Sequence, residues 1–280
     1  MKTSDNHQIN LPVKGNLTLV YILSFIIAIL ILIASAVGLQ YNTIVYPTEE
    51  LVQTFISNDV VNLLVGLPIL LGSMWLTWRG KLIGLLCWTG ALFFVFYNYT
   101  AYVFAMPLTW AFPLHLILMT LSTYALVALV AIIDGKVVQQ RLSGAVPERF
   151  AGGVLAGLGL LFLLRVIGVM VGALTSGTPL AETELAVNIA DFLTTPAWVI
   201  GGILLWKRKE FGYVTGLGLL FQGGMLFIAL IIFLLLQPLL TSALFAFTDV
   251  LVIFVMGLVC FIPFGMFVRG VVKAHSARNK

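Results

Sequence analysis

The sequence predicts an all-α membrane protein with eight transmembrane helices, and three observations carry that prediction. Hydrophobic residues make up 61% of the 280 and charged residues only 9%, with a mean hydropathy of +1.09, whereas a soluble domain carries about 25% charged residues. The charges cut the chain into apolar runs near the ~20 residues that one span requires. The basic residues sit at alternate boundaries between runs, as membrane topology demands. The net charge of +4 therefore describes loops rather than a nucleic-acid groove, and no nucleic-acid partner is expected.

Residues 1–16 form a short polar leader, predicted to be cytoplasmic. Span 1 is Leu17 to Leu39. It contains Ala34-Ser35-Ala36, which has the look of a signal-peptidase site. The run exceeds the roughly 7–15 apolar residues of a signal peptide, so a retained helix is expected. A polar stretch, residues 40–58, carries Glu49 and Glu50. Span 2 is Asp59 to Trp78 and stops at Arg79-Gly80-Lys81. No Asp, Glu, Lys or Arg occurs from Leu82 to Ile133, a length for spans 3 and 4, with Pro107 and Pro113 marking the break. These four spans make a first half, residues 17–133. Residues 134–149 are a polar linker punctuated by Gly135, Gly144 and Pro147. The second half, residues 150–268, opens with span 5, Phe150 to Thr175, followed by a loop holding Glu182 and Glu184. Span 6, Ala186 to Trp206, ends at Lys207-Arg208-Lys209. Gln237-Pro238 divides the remaining apolar run into spans 7 and 8, and residues 269–280 form a basic tail.

With the N-terminus inside, fourteen of the fifteen Lys and Arg residues fall on cytoplasmic segments, and the outer loops hold only glutamates. The positive-inside rule thus predicts both termini in the cytoplasm. The halves also match at an offset of 128 residues. Pro68 pairs with Pro196, Trp78 with Trp206, Lys81 with Lys209, Gly84 with Gly212, Gly90 with Gly218 and Phe93 with Phe221. Four spans per half would make this a parallel repeat about the membrane normal.

Asp59 with Pro68 and Arg79-Gly80, then Tyr97-Asn98-Tyr99 with Tyr102, resemble a family of uncharacterised prokaryotic integral membrane proteins. So does the second-half run Asp191, Pro196, Lys207-Arg208-Lys209 and Gly212-Tyr213. The resemblance implies a multi-pass protein of the prokaryotic plasma membrane and brings no activity with it.

Candidate site residues come from depth. Arg165 is the one basic residue inside an apolar run, and a guanidinium there costs roughly 2.5–3.5 kcal/mol on insertion scales unless it is partnered or wet. At 1.5 Å per helical residue, Arg165 and Asp191 both lie about 24 Å from their nearest basic boundary, and Asn62, Tyr97 and Asn98 about 24–26 Å. Asp59, His115 and Asp249 come out near 28–30 Å, and Gln222 near 20 Å. With Tyr102 these residues populate one slab of the outer leaflet, which predicts a polar cavity opening outward. Arg165 is expected to pair with Asp191, with Asp249 in reserve. Beside the stripe Gly153, Gly157, Gly168 and Gly172 it is also expected to face the bundle interior.

Plainer readings stand beside these. Tyr97, Tyr99 and Tyr102 also fit an aromatic belt, Asn62 and Gln222 fit interhelical hydrogen bonds, and His115 fits an interfacial histidine. Asp59 and Asp249 fit helix N-caps at the water boundary. Cys87 and Cys260 lie in apolar runs and read as buried small hydrophobes rather than a disulfide or metal pair. No hydrolase, metalloprotease, phosphate-loop or Cys-x-x-Cys motif occurs, so no metal or cofactor is expected. The leading expectation is a protein that binds or transports a small molecule or lipid headgroup. The alternatives are a structural or regulatory membrane subunit and, behind both, a membrane enzyme or redox protein.

Overall fold

The computed structural model describes residues 11–278, with side chains as far as residue 274. Most of the predicted leader and the last two residues of the basic tail lie outside the described residues. The described chain is helical, with eight helices long and apolar enough to cross a membrane: α1 Thr18–Gln40, α2 Glu49–Trp78, α3 Leu82–Ala105, α4 Phe112–Ile132, α5 Glu148–Ser176, α6 Glu182–Trp206, α7 Glu210–Leu240 and α8 Phe247–Arg278. Helices satisfy their own backbone groups, which is what a chain this apolar requires inside lipid. Two short helices, Asn42–Val45 and Gly135–Leu142, occupy connections.

Helix α3 is the axis of the bundle. It is buried along most of its length, and α2, α4, α6 and α7 all pack on it. Its closest approach is to α7. A Cβ on Gly90 would overlap the carbonyl oxygen of Gly218, and one on Gly218 would overlap the Thr89 hydroxyl. Only glycine at both positions lets the two backbones touch.

Several predicted boundaries move. Helix α2 begins at Glu49, ten residues before Asp59, because Thr48 caps it: its hydroxyl accepts from the Leu51 N–H at 3.3 Å. Residues 49–58 are thus helical rather than a loop, with Thr54 and Asn58 on the cavity and Glu50 bonded to Thr183 of α6. Asp59 is therefore mid-helix and not an N-cap. Helix α6 likewise starts at Glu182, and α7 runs through Gln237-Pro238 to Leu240. The 134–149 linker contains the helix Gly135–Leu142, capped by Asp134 accepting from Lys136 N and Val137 N at 3.1 and 3.3 Å.

Pro68 leaves its mark on α2. It cannot donate a hydrogen bond, and the turn before it widens to a π-helical turn, Asn62–Gly66, in which Leu67 N–H reaches back five residues to Asn62 O. Pro196 lies inside α6, whose whole length is α-helical.

The predicted glycine stripe on α5 is corrected. Of its members Gly153 lies against the Trp206 ring of α6, but Gly157, Gly168 and Gly172 face open space, and Gly152 and Gly159 are the positions where the α6 backbone comes close, at Gly202 and at Trp198–Val199. The buried face of α5 includes Glu148, Gly152, Leu155, Gly159 and Val166, a seam of roughly seven-residue period as in left-handed helix packing. Beyond Val166 the last turns of α5 are open, as are the first turns of α8 up to Met256 and the last turns of α7. These three helices splay apart at the end of the bundle that carries Glu49, Glu50, Glu182 and Glu184, called here the acidic end.

Candidate functional site

The splayed helices leave a cavity of about 430 Å³, within the roughly 300–1,000 Å³ typical of small-molecule sites. Six helices line it: α2, α3, α5, α6, α7 and α8. Its polar side gathers Arg165, Asp191, Tyr97 and Asn98, with Thr54 and Thr183 toward the acidic end. Its apolar side is built by Phe162, Trp198, Phe227, Phe233, Ile253 and Met256, among others.

The polar side is organised on Asp191, whose side chain is 13% exposed. Tyr97 donates its hydroxyl hydrogen to Asp191 Oδ1 at 2.9 Å, and Arg165 Nη1 bonds Oδ2 at 3.3 Å. Three different helices thereby fix one carboxylate. Arg165 itself is 48% exposed, so it stands on the cavity rim rather than in the bundle interior as its neighbouring glycines predicted. Its bond to Asp191 is the only one it makes among the described residues. A guanidinium has five N–H donors, and four are left without a protein acceptor among the described residues.

A second polar group lies inside the first four helices, within reach of the cavity. Asp59, 2% exposed, accepts from Tyr46 at Oδ2 and from Tyr102 at Oδ1, the latter at 2.8 Å. Asn62 Nδ2 donates to the Tyr102 hydroxyl at 3.4 Å, and Asn98 Nδ2 donates to Asn62 Oδ1 at 3.0 Å. Asn98 also lines the cavity, so a continuous hydrogen-bond chain joins Asp59 to it. Tyr46, in the connection before α2, has its hydroxyl pKa raised by burial and by the charge of Asp59. Gly38 is required here, because a Cβ would overlap both Asp59 Oδ2 and the Tyr46 hydroxyl. His115 packs its ring on Tyr102 at 4.8 Å between centroids.

The predicted site residues thus divide. Arg165, Asp191, Tyr97 and Asn98 meet at the cavity; Asp59, Asn62, Tyr102 and His115 form the buried group behind it. Gln222 is one step removed, accepting from Trp198 Nε1 at 2.6 Å beneath the cavity wall. Asp249 joins neither group: it is exposed in the first turn of α8, so it is no reserve partner for Arg165. Tyr99 and Tyr102 are 1% and 0% exposed, and His115 is 3% exposed. The aromatic-belt reading of Tyr99 and Tyr102 fails, because both are turned away from any surrounding lipid. Sequence reasoning missed Tyr46, which lies in a connection, and the apolar wall around Trp198, whose residue types are everywhere in such a chain. Cys87 and Cys260 are buried and free. Among the described residues no cluster of three or more His, Cys, Asp or Glu has the arrangement to hold a metal ion.

Fold and site together define a multi-pass α-helical membrane protein with a part-polar cavity between its helices. No protein-family model matches the chain, and no curated protein or solved structure is significantly similar to it.

Proposed function

We propose that this protein binds, and moves within the bilayer, an amphipathic molecule of the membrane-lipid class, its polar head at Arg165, Asp191 and Tyr97 and its apolar part along Phe162, Trp198, Phe227 and Ile253. The observation that carries the reading is Arg165 itself. A guanidinium with four spare donors on the rim of a largely apolar cavity suits a phosphate or carboxylate, and the adjacent Asp191 suits an ammonium. Intramembrane ionisable residues mark ligand pathways for the same energetic reason. A purely structural ion pair is disfavoured, because a packing device at this site would bury the guanidinium.

The topology belongs to the same proposal. The basic end of the bundle is cytoplasmic, both termini with it, in a prokaryotic plasma membrane, and the cavity opens at the opposite face. The two halves are related as a parallel repeat, supported by local geometry at the 128-residue offset. Gly80 and Arg208 both have positive φ, 71° and 54°. A Cβ on Gly84 would strike Leu76 and Thr77, and one on Gly212 would strike Leu204 and Leu205, their counterparts. Gly90 and Gly218, counterparts also, touch each other where an axis between halves would pass. Membership of the resembled prokaryotic family is likewise part of this proposal.

The test uses Trp198 as reporter. Purified protein in nanodiscs is titrated with phosphatidylethanolamine or phosphatidylglycerol carrying brominated acyl chains, and tryptophan fluorescence is read. The expected result is a saturable component of quenching that Trp198→Phe removes and Arg165→Gln abolishes. Quenching of Trp198 that is identical in Arg165→Gln, or absent throughout, would refute the site.

A further inference from the structure

We propose that Asp59 is a proton-binding site whose ionisation is read in the cavity through the Tyr102–Asn62–Asn98 hydrogen-bond chain, so that ligand binding at Arg165–Asp191 is coupled to a proton. Only the identity of what the cavity holds rests on the lipid-binding reading; the chain stands without it.

The first ground is the company Asp59 keeps. Among the described residues its carboxylate forms no ion pair. Tyr46 faces it from the connection after α1, Tyr99 and Tyr102 face it from α3, and His115 stacks on Tyr102 and Tyr99 from α4. Helix α1 contributes Gly38 and Ser35, neither of which carries a charge. The acidic and phenolic residues of α7, Glu210 and Tyr213, are in its first turn, at the other end of the bundle. On α6 the charged groups are Asp191, at the cavity, and Glu182 and Glu184, exposed in its first turn. Two phenol donors support the ionised carboxylate, and the apolar surroundings support the neutral acid. Both states have a physical basis, which a carboxylate locked to an arginine lacks.

The second ground is direction. Asn98 donates to Asn62, Asn62 to Tyr102 and Tyr102 to Asp59 Oδ1, so all three bonds point at the carboxylate. Each amide has one accepting and one donating end. While Asp59 is ionised, the carbonyl of Asn98 is the end left for the cavity. Uptake of one proton from water converts the carboxylate to a carboxylic acid and breaks no other covalent bond. Oδ2 is wedged between the Tyr46 hydroxyl and the Gly38 backbone, so the proton goes on Oδ1 and is donated to Tyr102. The Tyr102 hydroxyl then turns to donate to Asn62, both amides rotate, and Asn98 presents its NH2 to the cavity. The cavity wall beside Asp191 changes from acceptor to donor. Hydrogen-bond chains transmit polarity in this cooperative way.

The third ground is buried polarity that is incompletely paired. His115 Nδ1 has no partner, and the Ser35 hydroxyl lies close to both Asp59 and the Tyr99 hydroxyl without a well-directed bond to either, which a static network serves poorly and a network with a second arrangement accommodates.

Infrared pH-difference spectra of the whole protein, labelled with 13C at asparagine side-chain carbonyls, test the chain directly. A carboxylic-acid band and a 13C-shifted asparagine band are expected to titrate together and to vanish together in the isosteric Asp59→Asn. In Tyr102→Phe the acid band should persist and the asparagine band fall silent. Absence of an acid band belonging to Asp59, or an asparagine band that ignores it, overturns the proposal. So does an asparagine band that survives Tyr102→Phe. The brominated phosphatidylethanolamine titration at Trp198 is run alongside at two pH values bracketing that titration. Its midpoint should differ by about fivefold or more in wild type, the low end of ordinary coupling between sites, and should not differ in Asp59→Asn. Coupled bands with a pH-independent midpoint refute the link to the ligand. Coupled bands without Trp198 quenching at any pH refute the lipid reading and leave the proton chain standing. Saturable, pH-independent quenching without coupled bands does the reverse.

Discussion

Replacing Gly90 by alanine adds one methyl group at the point where α3 and α7 touch, and its cost follows from the geometry. Besides overlapping the Gly218 carbonyl oxygen, the new Cβ would sit 2.8 Å from Gly218 C and 3.0 Å from its Cα. All three atoms are backbone, so no rotamer change relieves the overlap and the helices must separate. Ordinary van der Waals contact begins near 3.5 Å, which requires a movement of about 1 Å across the central packing of the bundle. Overpacking of this kind costs about 1–3 kcal/mol. The intrinsic preference of alanine for helix returns about 0.5–1 kcal/mol, leaving a net loss of roughly 0.5–2 kcal/mol. Gly168→Ala and Gly172→Ala gain the same helix preference with nothing within 4 Å of the added Cβ, so they should be neutral or slightly stabilising. Thermal unfolding in a mild detergent, followed by tryptophan fluorescence, compares the three. By soluble-protein scaling the Gly90 variant should melt about 1–8 °C lower. A Gly90→Ala protein as stable as the two controls would show that α3 and α7 do not meet at Gly90–Gly218, and the packing of the halves would have to be redrawn.

Glu148 accepts from Gly144 N at 2.7 Å and from Tyr213 at 2.9 Å, with Arg208 at 3.8 Å; Glu148→Leu should lower stability by about 1–3 kcal/mol, read in the same melting assay. Single cysteines introduced on a background lacking Cys87 and Cys260 should separate rim from interior: Arg165→Cys reacts with a membrane-impermeant maleimide, while Asp59→Cys does not. Reporter fusions after Pro47, Gly177 and Ser242 should read outside and those after Gly80, Gly144 and Arg208 inside; one reversal breaks the proposed topology. Gly80→Ala, forced to φ 71°, should cost about 1–2 kcal/mol, whereas Arg208→Gly should relieve the same backbone conformation and lose only its contact with Glu148.

What was legible in the sequence was whatever follows from the constancy of the helix. Counting residues from the basic boundaries put Arg165 and Asp191 at one depth, and they meet, because 1.5 Å per residue holds along α5 and α6 alike. The same counting could not place Asp249, which is exposed in the first turn of α8 where that helix splays outward, and splay is a tertiary outcome with no local signature. Asp59 was misplaced for another reason. The ten residues before it, Glu49 to Asn58, are polar enough to read as a loop, yet Thr48 caps them as helix and their polar side chains meet the cavity, the first turn of α6, where Glu50 accepts from Thr183, and the α7–α8 connection, where Gln53 donates to Ser242. The cavity's apolar wall was invisible because Phe, Leu and Ile line lipid and ligand equally well. The π-helical turn at Asn62 was foreshadowed only by Pro68, and Pro196, with the same chemistry, produces none.

The inferred repeat makes sense of where the two polar groups lie. In the first half, Ser35 of α1, Asp59 and Asn62 of α2, Tyr99 and Tyr102 of α3 and His115 of α4 converge between the four helices, and the space among them is filled by rings and amides. In the second half the corresponding space, between α5, α6, α7 and α8, is part of the cavity. At the 128-residue offset Asp59 corresponds to Val187, Tyr102 to Leu230 and Asn98 to Leu226, and all three of these counterparts line the cavity. Replacing large hydrogen-bonding side chains by aliphatic ones removes the groups that tie α1 to α4 and lets α5 and α8 part. On the proposed repeat one scaffold yields a closed, hydrogen-bonded first half and an open second half that carries Arg165 and Asp191, joined where Asn98 of the first reaches the cavity of the second. A device that couples two events needs this kind of division: one half that binds the ligand, another that holds the titrating group, and a contact between them too buried for water to bypass.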